Sequence, residues 1–151
     1  MKPNKVFIEI QFGTAKLEES INAIMSVAQL KKILRMTIQN DAQLTLRFTG
    51  KAESRKLNAA YRNKDYATNI LTFNYHTPGQ ALHSDLVICW PIVVQEAKTQ
   101  GKSIVDHLSH LLVHGALHAQ GFDHEDEIEA EAMESLEVAI LQKLKIANPY
   151  L

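Results

Sequence analysis

The amino-acid sequence predicts an α+β fold, a small mixed β-sheet of about four strands packed against about five helices. Three observations carry that expectation. Segments of alternating or β-branched character fall in the first two-thirds of the chain, and apolar residues at helical spacing dominate the last third. No Pro-, Gly- or Ser-rich linker and no internal repeat divides the two. The 151 residues therefore read as one domain over 1–151, long enough to bury a core.

The elements follow in order. Residues 5–12 contain VFIEIQF, rich in β-branched and aromatic types, and predict the first strand. From Glu18 to about Met36, Ile21, Ile24, Met25, Ala28, Leu30, Ile33 and Leu34 recur at helical spacing and predict one amphipathic helix. Residues 43–49, QLTLRFT, alternate and predict a second strand closed by Gly50. A helix over roughly 52–62 follows, with Leu57 and Tyr61 an i,i+4 pair on one face. Residues 68–74 and 84–90 predict two more strands, with a turn at Pro78-Gly79 between them. Pro91 suits the first turn of a helix that stops near Gly101. The next helix runs from about Ile104 to Gln120, and Gly121 has the position of a left-handed C-terminal cap. The last covers roughly Asp126 to Lys145.

Composition narrows the class. A hydrophobic fraction of 46% and a charged fraction of 22% are ordinary for a soluble globular protein. No apolar run approaches the roughly 20 residues of a membrane span. The opening MKPNKVFIEIQFG lacks the apolar length and cleavage site of a signal peptide. A single cysteine, Cys89, makes no internal disulfide, so a reducing cytoplasm is expected. Charge is divided along the chain: residues 1–64 hold 12 Lys and Arg against 5 Asp and Glu, residues 65–151 hold 4 against 12. Such asymmetry predicts a basic face suited to phosphates, or simply two solvated faces.

Four of the seven histidines lie within 107–118 on one predicted helix. His107, His110, His114 and His118 are spaced 3, 4 and 4, so all follow one stripe at 3.6 residues per turn. The i,i+4 pair His114 and His118 puts two imidazoles about one turn apart, within reach of one cation. Past the stop at Gly121, His124 is placed to add a third nitrogen. Three protein nitrogens with an open fourth position make a catalytic rather than a structural zinc site, one that lowers the pKa of bound water towards about 7. Asp123, Glu125 and Asp106 are candidates to orient the imidazoles. A metalloprotease would have H-E-x-x-H, with the glutamate as general base. Gly115 stands in that place, which disfavours a peptidase.

The segment His114-Gly115-Ala116-Leu117-His118-Ala119-Gln120-Gly121-Phe122-Asp123-His124 resembles the H-G-x-L-H-x-x-G-[YF]-D-H signature of the YbeY family. Members of that family are metal-dependent, single-strand-specific endoribonucleases. Leu57 to Phe73, LNAAYRNKDYATNILTF, is similar to the family's L-N-x-x-Y-R-x-x-D-x-x-T-[DN]-V-L-S-F, and Ser84 to Cys89 is similar to G-D-[IL]-V-I-C. The acidic last helix, with Glu131, Glu134 and Glu137, also fits. Departures are Ser84 for glycine, Thr72 for serine and Asn74 for proline. The resemblance implies one Zn2+ held by His114, His118 and His124, with Arg62 and His114 catalytic. It also implies a role in 16S ribosomal RNA maturation and ribosome quality control, with the ribosome or small-subunit proteins as partners. Asp85 would orient an imidazole or a water, or satisfy backbone amides; Asp65 and Thr68 read as turn and cap residues. His107 and His110 are open between orienting a ligand, facing RNA and packing.

Arg62 has a physical role available without the likeness: phosphodiester cleavage builds charge on phosphoryl oxygens, and a guanidinium can pair two of them. Arg47, Lys51, Arg55, Lys56, Arg62 and Lys64 form a cationic strip in which Glu53 is the single acid. If the helix carrying it flanks the zinc, Lys51, Arg55, Lys56 and Arg62 would bind single-stranded RNA. Tyr61, Tyr66, Phe73 and Tyr75 offer faces for unpaired bases, although Tyr61 and Phe73 read first as core residues. A metallohydrolase of another substrate class and a ribosome-associated binding module with structural zinc are the competing readings.

Overall fold

The protein is described by a computed structural model over residues 4–151. Residues 1–3, where the single-domain range and the leader reading begin, lie outside the described residues. The elements are β1 (Val6–Phe12), α1 (Ala15–Asn22), α2 (Val27–Thr37), β2 (Ala42–Thr49), α3 (Lys51–Arg62), β3 (Ile70–Asn74), β4 (Leu82–Cys89), α4 (Trp90–Thr99), α5 (Ile104–Ala119) and α6 (Glu127–Lys143). The α+β expectation of a four-stranded mixed sheet holds. Strand order is β1-β2-β4-β3. β1, β2 and β4 are parallel, and β3 runs antiparallel on the edge beside β4. Among the described residues no helix is long and apolar enough to cross a membrane.

Two boundaries differ from expectation. The helix predicted over 18–36 is two helices, broken at Ser26. Ser26 Oγ accepts from the Gln29 amide at 3.2 Å and Gln29 Oε1 accepts from the Ser26 amide at 3.1 Å. This capping box starts a new helix inside an unbroken apolar periodicity. Trp90, placed on a strand by the sequence, instead opens α4, with Pro91 in the first turn as expected.

The pleat sorts the sheet into two unlike faces. On one, Leu44, Leu46 and Phe48 of β2 stand beside Ser84, Leu86 and Ile88 of β4, all buried. Burying each large apolar side chain contributes about 1.5–3 kcal/mol. Leu30 and Leu34 of α2 and Leu108, Leu112 and Leu117 of α5 complete this core. The helix α5 comes so close that a Cβ built on Gly115 would stand 2.5 Å from Ile70 Cδ1 and 3.6 Å from Leu86. Only a glycine permits that approach without displacement. The other face carries Arg47, Leu71, Phe73, Asp85 and Val87, and α3 covers part of it through Tyr61, whose ring meets Phe73 edge-on at 5.2 Å.

Candidate metal centre and nucleic-acid groove

Helix α5 begins on Ser103, whose Oγ accepts from the Asp106 amide at 3.1 Å. It ends before Gly121, which is left-handed at φ 101° as its place in the sequence requires. The chain then folds back, with the Phe122 amide donating to Leu117 O at 3.2 Å. That turn carries His124 over the end of the helix. The His124 ring lies 5.8 Å from His114 and 6.4 Å from His118, centroid to centroid. The structure therefore brings together the three histidines that sequence spacing singled out.

Each ring has its Nδ1 beside an acceptor. His114 Nδ1 lies 2.5 Å from Glu137 Oε1, and His118 Nδ1 lies 3.1 Å from the Phe122 carbonyl. His124 Nδ1 stands 3.5 Å from Asp123 Oδ1, a looser contact. No hydrogen bond engages Nε2 of any of the three among the described residues. Of the acids proposed from sequence to orient the imidazoles, Asp123 alone touches one. Asp106 sits in the first turn of α5, and Glu125 makes no hydrogen bond or ion pair with the three rings among the described residues.

Glu137, 23 residues from His114 and fully buried on α6, is the site residue that sequence reasoning left without a role. Its carboxylate takes His114 on Oε1, and His110 Nε2 (3.2 Å) and the Tyr150 hydroxyl on Oε2. Burial alone would raise its pKa, but the hydrogen bonds from His110, His114 and Tyr150 outweigh burial and hold it at about 2. Glu137 is thus a buried anion with donors on both oxygens. Ligand atoms of His110, His114 and Glu137 gather within 4.8 Å, a grouping able to hold a metal ion. Its shortest contact is nevertheless that of a hydrogen bond, since two donors on one tetrahedral ion stand about 3.3 Å apart. His107 does not join the centre: buried, it meets Glu96 at 3.0 Å, and Glu96 also accepts from Asn69.

Tyr61 and Phe73 pack on the α3 face, whereas Gly115 packs on the Ile70 side, so β3 separates the two. Helix α3, which bears most of the basic strip, and α5, which bears His114 and His118, thus pack on opposite faces of the sheet at β3. A cleft of about 560 Å3 runs along α3, lined by Arg47, Tyr61, Arg62, Phe73, Tyr75 and Asp85 among others. Tyr61 is 70% exposed, so the expectation of a core residue fails for it. Phe73 is half-buried beneath its ring. Asp85 accepts from the Tyr75 hydroxyl at 2.8 Å, and that bond with burial raises the Tyr75 pKa. Asp85 therefore orients a tyrosine, not an imidazole.

The strip is less free than its composition suggested. Arg47 forms a bidentate pair with Glu53 at 2.7 and 2.8 Å, and Arg55 does the same with Asp65 at 2.7 and 3.0 Å. Asp65, read as a turn residue, is thus an ion-pair partner. Lys51, Lys56, Arg62 and Lys64 are exposed and carry no ion pair among the described residues.

The family model described as Endoribonuclease YbeY matches residues 7–145. A protein of Polynucleobacter asymbioticus named Endoribonuclease YbeY is 49% identical over 148 residues, covering 98% of this chain and 96% of the relative. One of the same name from Albidiferax ferrireducens is 45% identical, covering 97% and 99%. The solution structure of TM1509 from Thermotoga maritima shares the fold, with a TM-score of 0.57 at 22% identity over 92% of each chain. With matches of that identity along nearly its whole length, the chain belongs to the YbeY family.

Proposed function

We propose that the chain is a zinc-dependent, single-strand-specific endoribonuclease whose ion is held by His114, His118 and His124. The observation that carries this is the shared state of the three rings. His114 and His118 hydrogen-bond through Nδ1 to protein acceptors, His124 Nδ1 faces Asp123 more loosely at 3.5 Å, and Nε2 of all three is left for an ion. Imidazoles bound through Nε2 to one tetrahedral zinc have ring centroids roughly 5 Å apart by the usual Zn–N distance. The rings here stand slightly wider, a set that a small inward turn completes. Three neutral nitrogens with no fourth protein donor fit a zinc that keeps a position for water or substrate. Bound there, the ion supplies Lewis acidity towards a phosphoryl oxygen and acidifies water.

The chain's own residues do the rest. Arg62 offers two N–H groups to the phosphoryl oxygens on which charge grows. Exposed Lys51 and Lys56 attract the backbone, and Tyr61, Tyr66 and Tyr75 present ring faces to bases. A strand laid over the β3 edge would reach both sides, which requires unpaired bases. Ribosomal RNA, processed in 16S maturation with the ribosome as partner, is the substrate the family likeness supports.

The test pairs metal analysis of the purified protein with cleavage of single- and double-stranded RNA, with and without chelator. One zinc per chain and chelator-sensitive cleavage of the single strand alone are expected. His118→Ala should lose the zinc and the cleavage while staying folded. Stoichiometric zinc without nuclease activity under any divalent metal overturns the proposal.

A further inference from the structure

Beyond α6 the chain turns back through Lys145, left-handed at φ 62°, and the Tyr150 amide donates to Asn148 Oδ1 at 2.8 Å. This return lays Tyr150 against the buried end of the histidine stripe. Its hydroxyl donates to Glu137 Oε2, the oxygen that His110 Nε2 also approaches at 3.2 Å, and lies 3.3 Å from that same nitrogen. The rings of Tyr150 and His110 meet edge-on at 5.5 Å. Glu137 keeps Oε1 for His114 Nδ1. A segment remote in sequence thus ends on the carboxylate that orients a candidate ligand.

We propose that Tyr150 is a positioning residue of the metal centre, holding Glu137, with His110, in the orientation that fixes His114 for the ion. The inference rests on the zinc site proposed above. A carboxylate turns easily about its last bond, and the direction of its Oε1 lone pairs sets the plane of the His114 ring. Donors on Oε2 remove that freedom. The arrangement is a ligand, its orienting carboxylate, and two groups that lock the carboxylate. Tyr150 as a residue is 44% exposed, and its hydroxyl reaches the fully buried Glu137.

The experiment measures zinc affinity of the full chain by chelator competition, and the visible absorption spectrum after cobalt substitution. Tyr150→Phe keeps the ring and deletes the hydroxyl. It should weaken zinc binding by about 10-fold, the lower end for a residue orienting a ligand, and shift the cobalt bands. Glu137→Gln retains an acceptor for His114 and should weaken binding at least as much. The double variant should lose no more than Glu137→Gln alone, because the hydroxyl acts through the carboxylate. A merely structural tyrosine would lower the melting temperature and leave affinity and spectrum unchanged. Affinity for Tyr150→Phe within twofold of wild type, with the same cobalt bands, overturns the inference while the zinc site stands. No zinc binding by the wild-type chain overturns the site itself, and the inference with it.

Discussion

Position 115 shows how closely single residues are specified around the centre. In the sequence, Gly115 is the place where a peptidase glutamate is missing. In the fold it is a contact residue, because an added Cβ meets Ile70 Cδ1 at 2.5 Å. Gly115→Ala should therefore destabilise the protein by about 1–3 kcal/mol through overpacking, measured by urea unfolding. Ile70→Val in the same chain should return part of that loss. The grouping of the three histidines was legible because His114 and His118 obey helical spacing and His124 follows within eleven residues of His114, just past the glycine stop. Glu137 was not, since its link to His114 spans 23 residues and exists only once α6 packs on α5. Its membership of an acidic run concealed it further, for nothing in the sequence separates a buried glutamate from its solvated neighbours.

At the scale of elements, periodicity located the helices but passed over the break between α1 and α2. The signal was present as S-x-x-Q at Ser26 to Gln29, which marks a helix start inside an apolar pattern. Helix α3 was placed correctly, yet its charge was overread, because pairing across the chain neutralises Arg47 and Arg55. RNA affinity should then depend on Lys51, Lys56, Arg62 and Lys64, unpaired among the described residues, more than on Arg47 and Arg55. Reversing Lys51 and Lys56 to Glu should weaken binding and reduce the slope of log K against log salt by about 1.4, at roughly 0.7 per single-strand phosphate contact. Filter binding over a salt series measures this. The Arg47–Glu53 pair makes a separate prediction about acid. The hydrogen bond from Arg47 lowers the Glu53 pKa, so the pair's contribution is present above the unfolded value of about 4.3 and fades as pH falls through the lower folded value. Both side chains are about one-third exposed, so the effect is modest and screened. The stability gap between wild type and Glu53→Gln should narrow from pH 7 to pH 3 in chemical denaturation.

For the whole molecule, the sheet core and the histidine centre are largely separate. Phe48, Leu46 and Leu86 are buried against α2 and α5, whereas the three histidines lie at the end of α5 and in the turn that follows it. Chelation should consequently leave the far-ultraviolet circular dichroism intact. It should lower the melting temperature by the linkage of bound metal to folding, and speed amide exchange in residues 121–126 over that in β2 and β4. Wholesale unfolding would mark the metal as structural. The order of the sheet, with β3 antiparallel on the edge, was beyond the sequence, since pairing partners are set by long-range packing. That order is what puts α3 and α5 on opposite faces of one short strand.

The close seating of α5 on the sheet also limits what this architecture can become. On paper, one substitution at position 115 separates H-G-x-L-H from the peptidase signature. Here a glutamate would arrive facing Ile70 and Leu86, in an apolar seam between helix and sheet. The substitution would unseat the helix and supply no base. In this chain, helix-to-sheet spacing rather than any residue near the reacting atoms closes the shortest mutational path to a protease.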